Sequence, residues 1–487
     1  MNEEVRALEP VKLWNYFADL NAVPRPSKKE ERVIEFIYNF GLGLGLETIK
    51  DEIGNVIIKK PATKGMENKI PIVLQSHLDM VHQKNTETKF DFDKQGIEML
   101  VDDDWVKAKG TTLGADNGIG VASIMSILAS NTIKHPALEA LFTIDEETGM
   151  TGALGLNPGM LHGKIMLNLD TEEDNELTIG CAGGVDVTAT GSYNYEGFPK
   201  GSKAFKIHLK GLTGGHSGMD IHKGRANANK LMNRILISAS EQFGLRVCNV
   251  DGGSLRNAIP REAIAEVIIQ EDQTAALTSF IEKQDLIIKS EYQTTDPNLR
   301  LSYEVIETTS KVLSLDFQNK ILRSIYACQN GIYRMSPDIP GLVQTSNNIA
   351  RVLIANGNYS IQCLTRSSVD SEKMDLAYSL KSALELSGAK VSFTGGYPGW
   401  TPNPAANIVK IMADLYKKKF KEKPLVNACH AGLECGIIGA HYHDMEMISF
   451  GPNIHGAHSP DEKVQISSVN KFWGFLLDTL KAIPSLN

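Results

Sequence analysis

Residues 1–184 alternate short, almost continuously apolar segments with longer helical patterns, and this alternation constrains the fold more than any other feature. NVIIKK, PIVLQSHLD, ALEALFTIDEE and GKIMLNLDTEE have the apolar texture of strands that are covered on both faces, whereas ERVIEFIYNFGLGLG and GIGVASIMSILAS have the length and periodicity of helices. Such strands, separated by helices, are typical of an α/β layer. The sequence therefore predicts an α/β domain with a mixed, mostly parallel sheet between helices.

From residue 185 to about residue 395 the pattern changes. KAFKIHLKGL alternates polar and apolar residues with period two, and the segments after it predict the order strand–helix–strand–strand–helix–strand. A helix–strand–strand–helix–strand order follows, which repeats the first only in part. We interpret residues 185–395 as an inserted α+β lid domain built from ferredoxin-like units, and a duplication would explain the repeated order. The turn-rich GGYPGWTPNP then leads back to α/β texture, so residues 396–487 should complete the domain begun by residues 1–184.

The bulk composition disfavours several classes of protein. Acidic residues number 58 against 50 basic residues, and basic patches with interleaved aromatic residues are missing, so we expect no nucleic-acid partner. No apolar run approaches the roughly 20 residues that cross a bilayer, and the N-terminus MNEEVRALEP lacks the apolar core of a signal peptide. The six cysteines form no CxxC pair, as in proteins with reduced thiols. We expect a cytoplasmic protein with no membrane partner.

The glycine-rich stretch GLGLGLE at residues 41–47 looks like a dinucleotide fingerprint. That fingerprint must follow a strand and open a helix, so that the phosphates meet the helix N-terminus. Here the glycines follow a helical pattern and precede a strand pattern. We therefore predict a helix C-terminal turn, which disfavours a nucleotide-dependent oxidoreductase.

The apolar segment PIVLQSH ends in His77, and Asp79 follows two positions later. Residues i and i+2 of a strand point to the same face, so the imidazole and the carboxylate should lie side by side. A metal-bound imidazole commonly gives its second nitrogen to a carboxylate, which this spacing would supply. A histidine hydrogen-bonded in a polar turn is the alternative explanation of the motif taken alone.

Further acids and histidines follow other predicted strands or turns: Asp116 in GTTLGADNGIG, Asp145, Glu146 and Glu147 after ALFTI, Asp170 after KIMLNL, and His455 and His458 after MEMISF. Taken singly, Asp116 could be a helix N-cap and the acids after ALFTI a solvated loop edge. In a parallel α/β sheet, however, ligands bind beyond the carboxyl ends of the strands, so these groups should converge on one edge. Imidazole with carboxylate and no thiolate suits Zn²⁺, Mn²⁺ or Co²⁺, and one bridging carboxylate would allow two ions about 3.5 Å apart. An acid next to a metal-bound water would be the general base, but spacing does not choose between Glu146 and Glu147.

Together these motifs resemble the co-catalytic metallopeptidases of the aminoacylase and carboxypeptidase clan. Within that clan, SHLDMVHQK, GTTLGADNGIG, DEETGMTGA, GGHSGMDIH, CHAGLECG and GAHSPDE are most similar to the bacterial aminoacyl-histidine dipeptidases, the carnosinase-like peptidase D family. The resemblance covers essentially the whole chain. It implies two Zn²⁺ ions per chain, replaceable by Co²⁺ or Mn²⁺, with His77 and Asp170 on one ion, Glu147 and His458 on the other, and Asp116 as the bridge.

The resemblance also implies roles in catalysis. Glu146 would be the general base and proton shuttle, and Asp79 would orient His77. His216, in GLTGGHSGMDIH of the lid, would stabilise the oxyanion, which in related enzymes it does from a partner subunit; a plain turn histidine is the alternative. The family therefore favours a homodimer, although a duplicated lid could imitate the partner and let a monomer work.

Four further residues resemble substrate contacts of the family. Asn257 in LRNAIPRE and Arg366 in LTRSSVD should occupy matching hairpin positions of the two lid halves and meet the substrate carbonyl and carboxylate. A plain turn asparagine and a surface arginine are the alternatives. A guanidinium suits a carboxylate because it donates two bonds at once. Gly432 and Glu434 in HAGLECG would also contact the substrate, and Glu434 could pair with a free α-amino group.

The expected function is therefore hydrolysis of dipeptides with a free N-terminus, with histidine as the expected C-terminal residue. A broader di- or tripeptidase and an N-acyl amino acid deacylase are alternatives on the same scaffold. A metal-dependent binding protein without turnover is disfavoured, because an inert relative need not keep Glu146.

Overall fold

The computed structural model describes residues 2–198, 200–307 and 311–486. The chain forms two compact units. The first unit contains the residues up to Gly180, Pro402–Ala428 and the residues from Leu433 onward, and the second unit contains Cys181–Thr401 and Cys429–Gly432. The short return of Cys429–Gly432 to the second unit departs from the expected boundaries, which assigned all of 396–487 to the catalytic domain. The N–H of Ala182 holds this segment by donating to the C=O groups of Cys429 and Ala431, each at 3.0 Å.

The helices of the described residues are α1 Glu3–Arg6, α2 Val11–Asn21, α3 Glu31–Gly43, α4 Ala115–Leu128, α5 Thr151–Gly155, α6 Ala228–Phe243, α7 Thr274–Tyr292, α8 Leu315–Ala327, α9 Asp370–Glu385, α10 Asn407–Phe420, α11 Glu434–His441 and α12 Ile466–Ala482. Short 3₁₀ turns lie at Ile221–Lys223 and Glu271–Gln273. None of these helices combines the length and apolarity that a bilayer-spanning segment needs.

The strands are β1 Glu47–Lys50, β2 Val56–Lys60, β3 Ile72–His77, β4 Met99–Asp102, β5 Trp105–Ala108, β6 Leu138–Thr143, β7 Ile165–Asn168, β8 Glu176–Cys181, β9 Gly183–Ser192, β10 Tyr195–Gly197, β11 Ser202–Lys210, β12 Gly215–His216, β13 Arg246–Gly253, β14 Ala258–Ile259, β15 Ala263–Gln270, β16 Arg300–Ile306, β17 Lys311–Leu313, β18 Gly331–Met335, β19 Val343–Ala355, β20 Asn358–Ser367, β21 Lys390–Tyr397, β22 Leu425–Cys429, β23 Glu446–Ser449, β24 Ile454–His455 and β25 Lys463–Gln465.

The main sheet of the first unit has the order β1-β2-β6-β3-β7-β23-β8-β22. Its central strands β6, β3, β7 and β23 run parallel, whereas β1, β2 and β8 join antiparallel to their neighbours. Every residue of β3, β6 and β7 is buried, which is why these strands read as continuous apolar runs. The predicted α/β domain with a mixed, mostly parallel sheet is confirmed. Its parallel pairs lie at the centre of the sheet.

Helix α4 packs against β3 and α2 and is buried along almost its whole length. The two serines inside it can be buried because their hydroxyls hydrogen-bond within the helix. The hydroxyls of Ser123 and Ser126 donate to the C=O groups of Ile119 and Ala122, each at 2.8 Å. The glycine-rich stretch at residues 41–47 forms the predicted helix C-terminal turn. Gly45 lies between α3 and β1 with φ 69°, a conformation that often ends a helix.

The second unit contains two ferredoxin-like sets of strands in one antiparallel sheet. Strands β11, β13, β15 and β16 lie in the order β16-β11-β15-β13, and β9, β19, β20 and β21 repeat that order in reverse as β19-β20-β9-β21. The two sets join where β13 pairs with β19. Strand β9 belongs to the second set but comes before the whole first set in the chain. The segment that carries the rest of the second set therefore begins without this strand. This interleaving explains why the sequence pattern repeats only in part.

Candidate active site

The carboxyl ends of the four parallel strands carry most of the expected ligands. His77 is the last residue of β3, Glu147 follows β6, and Asp170 follows β7. His458 lies beyond β23, between the short strands β24 and β25. Asp116 is the exception, because it opens helix α4 rather than ending a strand of the main sheet. Groups distant in sequence therefore meet at one edge of the sheet, as expected. Asp116 differs from the others because the first turn of a helix, and not the end of a strand, carries it.

Asp116 lies between two histidines. Its Oδ1 is 3.1 Å from Nε2 of His77, and its Oδ2 is 3.3 Å from Nε2 of His458. Nε2 of His77 is also 3.5 Å from Oδ1 of Asp170, and Nε2 of His458 is 2.8 Å from Oε2 of Glu147. The side chains form two groups that share Asp116, and the ligand atoms within each group lie within 4.8 Å of one another. One carboxylate shared by two sets of imidazole and carboxylate donors suits a pair of divalent cations.

Not every histidine of the predicted set joins these groups. The side chain of His455 is 47% exposed and lies 3.7 Å from a carboxylate oxygen of Glu173, and its ring packs against Trp105 with 4.9 Å between centroids. His458 reaches the cluster from a backbone with φ 63°, a conformation that non-glycine residues rarely adopt and that is often found at functional sites. The loop therefore presents His458 to the other ligands and leaves His455 outside.

Asp79 connects the histidine at the end of β3 to the acids that follow β6. Its Oδ1 lies 3.3 Å from Nδ1 of His77 and accepts the N–H of Glu146 at 3.0 Å. Its Oδ2 accepts the N–H of Glu147 at 3.3 Å and the hydroxyl of Ser27 at 2.8 Å. The expected contact between Asp79 and His77 is thus present, and the same carboxylate also holds the backbone of the neighbouring loop.

The protein atoms alone give this cluster an excess of negative charge. Burial, with the charges of Asp116 and Glu147, raises the pKa of Asp170 to about 6. Burial, with the charges of Asp170, Glu434 and Glu147, holds the pKa of Glu146 well above its usual range. Hydrogen bonds to Asp116 and Glu147 raise the pKa of His458 to about 11. The carboxyl groups thus hold protons at an unusually high pH, and so does the imidazole of His458. Such groups fit a cation site, because metal ions would replace the protons and stabilise the carboxylate and the neutral imidazole.

Glu434 lies in the same unit with one free oxygen. The residue is 1% exposed, and its Oε2 accepts hydrogen bonds from Nε2 of Gln75 at 2.7 Å and from the hydroxyl of Thr143 at 2.6 Å. Among the described residues, its Oε1 has no hydrogen-bond partner. Burial first, and then the charge of Asp170, raise the pKa of Glu434 to about 7. A buried carboxylate with an unused acceptor can bind a cationic group.

In the second unit, His216 is prepared to donate through Nε2. Its Nδ1 accepts the N–H groups of Gly218 at 3.2 Å and Met219 at 3.0 Å, so the proton of the neutral ring must be on Nε2. Burial, with the charge of Arg366, lowers the pKa of His216 to about 4 and keeps the ring neutral. Strand β12 pairs with β14, and the N–H of Ser217 donates to the C=O of Asn257 at 2.7 Å. The structure therefore brings Asn257 next to residues 215–219, which we call the His216 loop.

Arg366 does not occupy a hairpin position, so the expected match with Asn257 is wrong. It lies inside β20, where it is opposite Gly184 of β9 and Ser346 of β19, while Tyr397 of β21 is also opposite Gly184. The side chain is 4% exposed, and its Nη1 donates to the hydroxyl of Tyr397 at 2.8 Å. A Cβ on Gly184 would lie 2.7 Å from the Tyr397 ring, so the glycine makes room for this contact. The neighbours of Arg366 are set by the register in which β20 pairs with β9 and β19. Register depends on strands distant in sequence, so the local sequence pattern does not predict it.

Gly432 ends the short segment that returns to the second unit. In this segment, Nε2 of His430 lies 2.8 Å from Oγ of Ser346, and a Cβ on Gly218 would meet the C=O of His430 at 2.2 Å. Burial and the charge of Arg366 lower the pKa of His430 to about 3. Gly432 is thus carried by a segment that packs beside the His216 loop.

Sequence reasoning missed side chains that support the ligands. Nδ2 of Asn117 donates to the C=O of Leu169 at 2.7 Å and to Oδ1 of Asp170. Glu462 and Arg25, both buried, hydrogen-bond to the backbone just before Asp116: Glu462 accepts the N–H of Ala115, and Arg25 donates to the C=O of Gly114. Asn117 follows Asp116 in GADNG, and Glu462 is the last residue of HSPDE, which begins with His458. Both therefore lie in motifs that contain a predicted metal ligand. No comparable signal marks Arg25.

Comparison with known proteins places the chain among peptidases. The chain is 43% identical over 482 residues to the Escherichia coli (strain K12) Cytosol non-specific dipeptidase, with 99% of both chains covered. The crystal structure of aminoacylhistidine dipeptidase from Vibrio alginolyticus has a TM-score of 0.93 to this chain at 43% identity, covering 100% of this chain and 99% of that one. The Bacillus cereus aminopeptidase PepT shares the fold at 16% identity and a TM-score of 0.57, with 98% of this chain and 99% of that chain covered. Residues 73–482 match the family described as Peptidase family M20/M25/M40, and the chain belongs to this family.

Proposed function

We propose that the protein is a metal-dependent dipeptidase that hydrolyses dipeptides with a free N-terminus and accepts Xaa-His dipeptides. One observation carries the proposal: two groups of imidazole and carboxylate ligands share Asp116, and the further acid Glu146 is held beside them through the carboxylate of Asp79. The ligands we assign to two Zn²⁺ ions are His77, Asp170, Asp116, Glu147 and His458. Co²⁺ and Mn²⁺ are the expected substitutes, because they accept the same donors.

When bound, Zn²⁺ would lower the pKa of a coordinated water towards about 7 and polarise the substrate carbonyl. Glu146 would take the proton of the attacking water on its carboxylate and deliver it to the leaving amine. One carboxylate can serve both steps, since a base that has taken up a proton becomes the acid later in the cycle. Asp79 would keep His77 and the Glu146 backbone in place throughout.

Four other residues would bind the substrate. His216 would donate from Nε2 to the developing oxyanion, and Asn257 would meet the substrate carbonyl from the adjacent turn. Arg366 would pair with the C-terminal carboxylate, for which its unpartnered Nε leaves a donor available among the described residues. Glu434 would accept the α-ammonium group, and Gly432 would contribute backbone contacts. Recognition of both charged ends of the peptide would favour dipeptides over longer chains and over N-acyl amino acids.

The names of the two similar proteins point to different breadths of substrate choice. The E. coli relative is called a non-specific dipeptidase, and the Vibrio protein an aminoacylhistidine dipeptidase. We therefore propose that histidine is accepted at the C-terminal position without being required there. We also place the protein in the cytosol, as the name of the E. coli relative suggests.

The proposed function is tested by assaying β-Ala-His, Gly-His, Leu-Leu, a tripeptide and an N-acetyl amino acid on one preparation whose metal content is measured. We expect hydrolysis of the dipeptides, loss of activity with EDTA, and recovery with Zn²⁺, Co²⁺ or Mn²⁺. Faster turnover of the tripeptide or of the N-acetyl substrate would favour the broader peptidase or the deacylase. Full turnover in a metal-free sample would overturn the proposal.

We further propose a homodimer in which His216 acts on the metal site of the partner subunit. Mixing a His216→Ala chain with a Glu146→Gln chain tests this arrangement. In a mixed dimer, an intact His216 from one chain would meet an intact Glu146 site of the other, and activity should return. A monomeric protein, or no recovery in verified mixed dimers, would contradict it.

A further inference from the structure

The carboxylate of Glu462 is surrounded by backbone N–H groups of one short segment. Its Oε2 accepts the N–H groups of Leu113 at 2.6 Å and Gly114 at 2.9 Å, and its Oε1 accepts those of Ala115 at 2.7 Å and Asp116 at 3.3 Å. Glu462 is 2% exposed, so water does not compete for these bonds. Four charge-assisted bonds to consecutive residues leave this segment little freedom to move.

The carbonyl side of the same segment is held by two other buried side chains. Nη2 of Arg25 donates to the C=O of Gly114 at 2.6 Å, and Nδ2 of Asn21 donates to the C=O of Leu113 at 2.9 Å. Nη1 of Arg25 also donates to the C=O groups of Leu78 and Asp79, each at 3.0 Å. Arg25 thus ties the segment before Asp116 to the end of β3.

Glu462 differs from Arg25 in what it connects. Glu462 lies four residues after His458, on the loop that carries this ligand. Its carboxylate accepts the backbone N–H of the shared ligand Asp116. Oδ2 of Asp116 is the atom that faces Nε2 of His458 at 3.3 Å. A shift of Glu462 would therefore separate two ligands of the same ion. Asp116 would stay beside His77, because Arg25 still ties the preceding segment to the end of β3, so His458 is the ligand that would move.

We propose that Glu462 is a positioning residue that fixes His458 and Asp116 relative to each other, and that it thereby sets the affinity of one of the two metal sites. This inference rests on the proposed two-metal function. Loss of a residue that orients metal ligands commonly weakens binding by about 10- to 100-fold. We expect this effect at the His458 site, with little change at the His77 site.

Glu462→Gln tests the proposal, because the amide keeps the shape but turns an N–H donor towards N–H groups. Glu139→Gln is the matched control, since Glu139 is 7% exposed and accepts the N–H groups of His162 at 2.7 Å and Gly163 at 2.9 Å, but belongs to neither ligand group. Zinc per chain would be measured after equilibration in chelator-buffered Zn²⁺. The parent and Glu139→Gln should hold two ions per chain, and Glu462→Gln should hold one until free Zn²⁺ is raised about 10- to 100-fold.

His458→Ala provides the reference titration for a chain that has lost the same site, and the curve for Glu462→Gln should move towards it. Equal binding by Glu462→Gln and Glu139→Gln would overturn the inference, whereas a parent chain that never binds two ions would overturn the proposed function itself. If Glu462→Gln does not fold, Glu462→Asp replaces it. That variant keeps the charge but is one methylene shorter, and it should still weaken one site; two ions bound with parental affinity would overturn the inference.

Discussion

Oδ1 of Asp79 accepts the backbone N–H of Glu146 at 3.0 Å. The same oxygen lies 3.3 Å from Nδ1 of His77, so one buried carboxylate holds both a candidate metal ligand and the loop of the candidate base. Asp79 therefore does more than orient an imidazole. It sets the distance between the end of β3 and the acids after β6, and the chemistry we propose depends on that distance.

Replacing Glu146 by glutamine should remove turnover but not metal. The amide has nearly the same size, but it cannot accept and return a proton, so kcat should fall by about 10²- to 10⁴-fold. Zinc per chain and kcat would be measured on the same sample. Glu147→Gln is the control, because loss of a ligand should reduce both quantities. Turnover within about tenfold of the parent in Glu146→Gln would contradict the assignment.

Replacing Asp116 by alanine should affect both metal ions, because each oxygen of its carboxylate faces a different histidine. Asp170→Ala and His458→Ala should each weaken one ion only. Zinc content after dialysis against a weak chelator distinguishes these cases. One ion retained by Asp116→Ala with parental affinity would show that the carboxylate is not shared.

His216→Ala should lower kcat by about 10²- to 10³-fold and leave the zinc content unchanged, because the neutral ring is placed to donate from Nε2 rather than to bind metal. His222→Ala, which changes an exposed histidine of the same unit, is the control. Loss of zinc in His216→Ala would instead place this residue among the ligands.

Arg366→Ala should raise KM for dipeptides, since a lost charge-assisted pair is worth about 1.5–3 kcal/mol, or roughly 10- to 150-fold. Tyr397→Phe should raise KM by a few fold, because it removes only the hydroxyl that accepts from Arg366 at 2.8 Å. Both effects should vanish with dipeptide amides, which lack the carboxylate. Arg334→Ala, at an exposed arginine, should change neither value. An equal loss on amides would mean that Arg366 supports the fold instead.

Acid should destabilise the second unit through His430. Burial and the charge of Arg366 lower its pKa to about 3, against an ordinary value near 6.5, so the unfolded chain binds a proton that the folded chain does not. Stability from this group is complete above about pH 6.5 and falls as the pH drops below it, by up to about 1.4 kcal/mol per pH unit. Urea unfolding of the parent and His430→Asn between pH 7 and 5 measures the difference. The variant should have a weaker pH dependence, and the exposed His443→Asn should match the parent.

The sequence alone determined the apolar strands, the fold class and the types of ligand. The matches to known proteins confirm the family resemblance and the metallopeptidase fold. This was possible because burial on both faces leaves a local signature in β3, β6 and β7, and because the polar residues stand directly at or after the ends of these strands. The duplicated lid could be inferred only in part, since β9 is separated from the rest of its set by the whole first set.

The tertiary structure decided which of these groups meet and what holds them. Glu462 reaches the backbone before Asp116 across 346 to 349 residues of chain, and no local pattern specifies a contact of that separation. The place of Arg366 inside β20, opposite Gly184, follows from strand register. Hydrogen-bond partners distant in sequence are chosen by how sheets and helices pack, whereas propensity and periodicity act over a few residues.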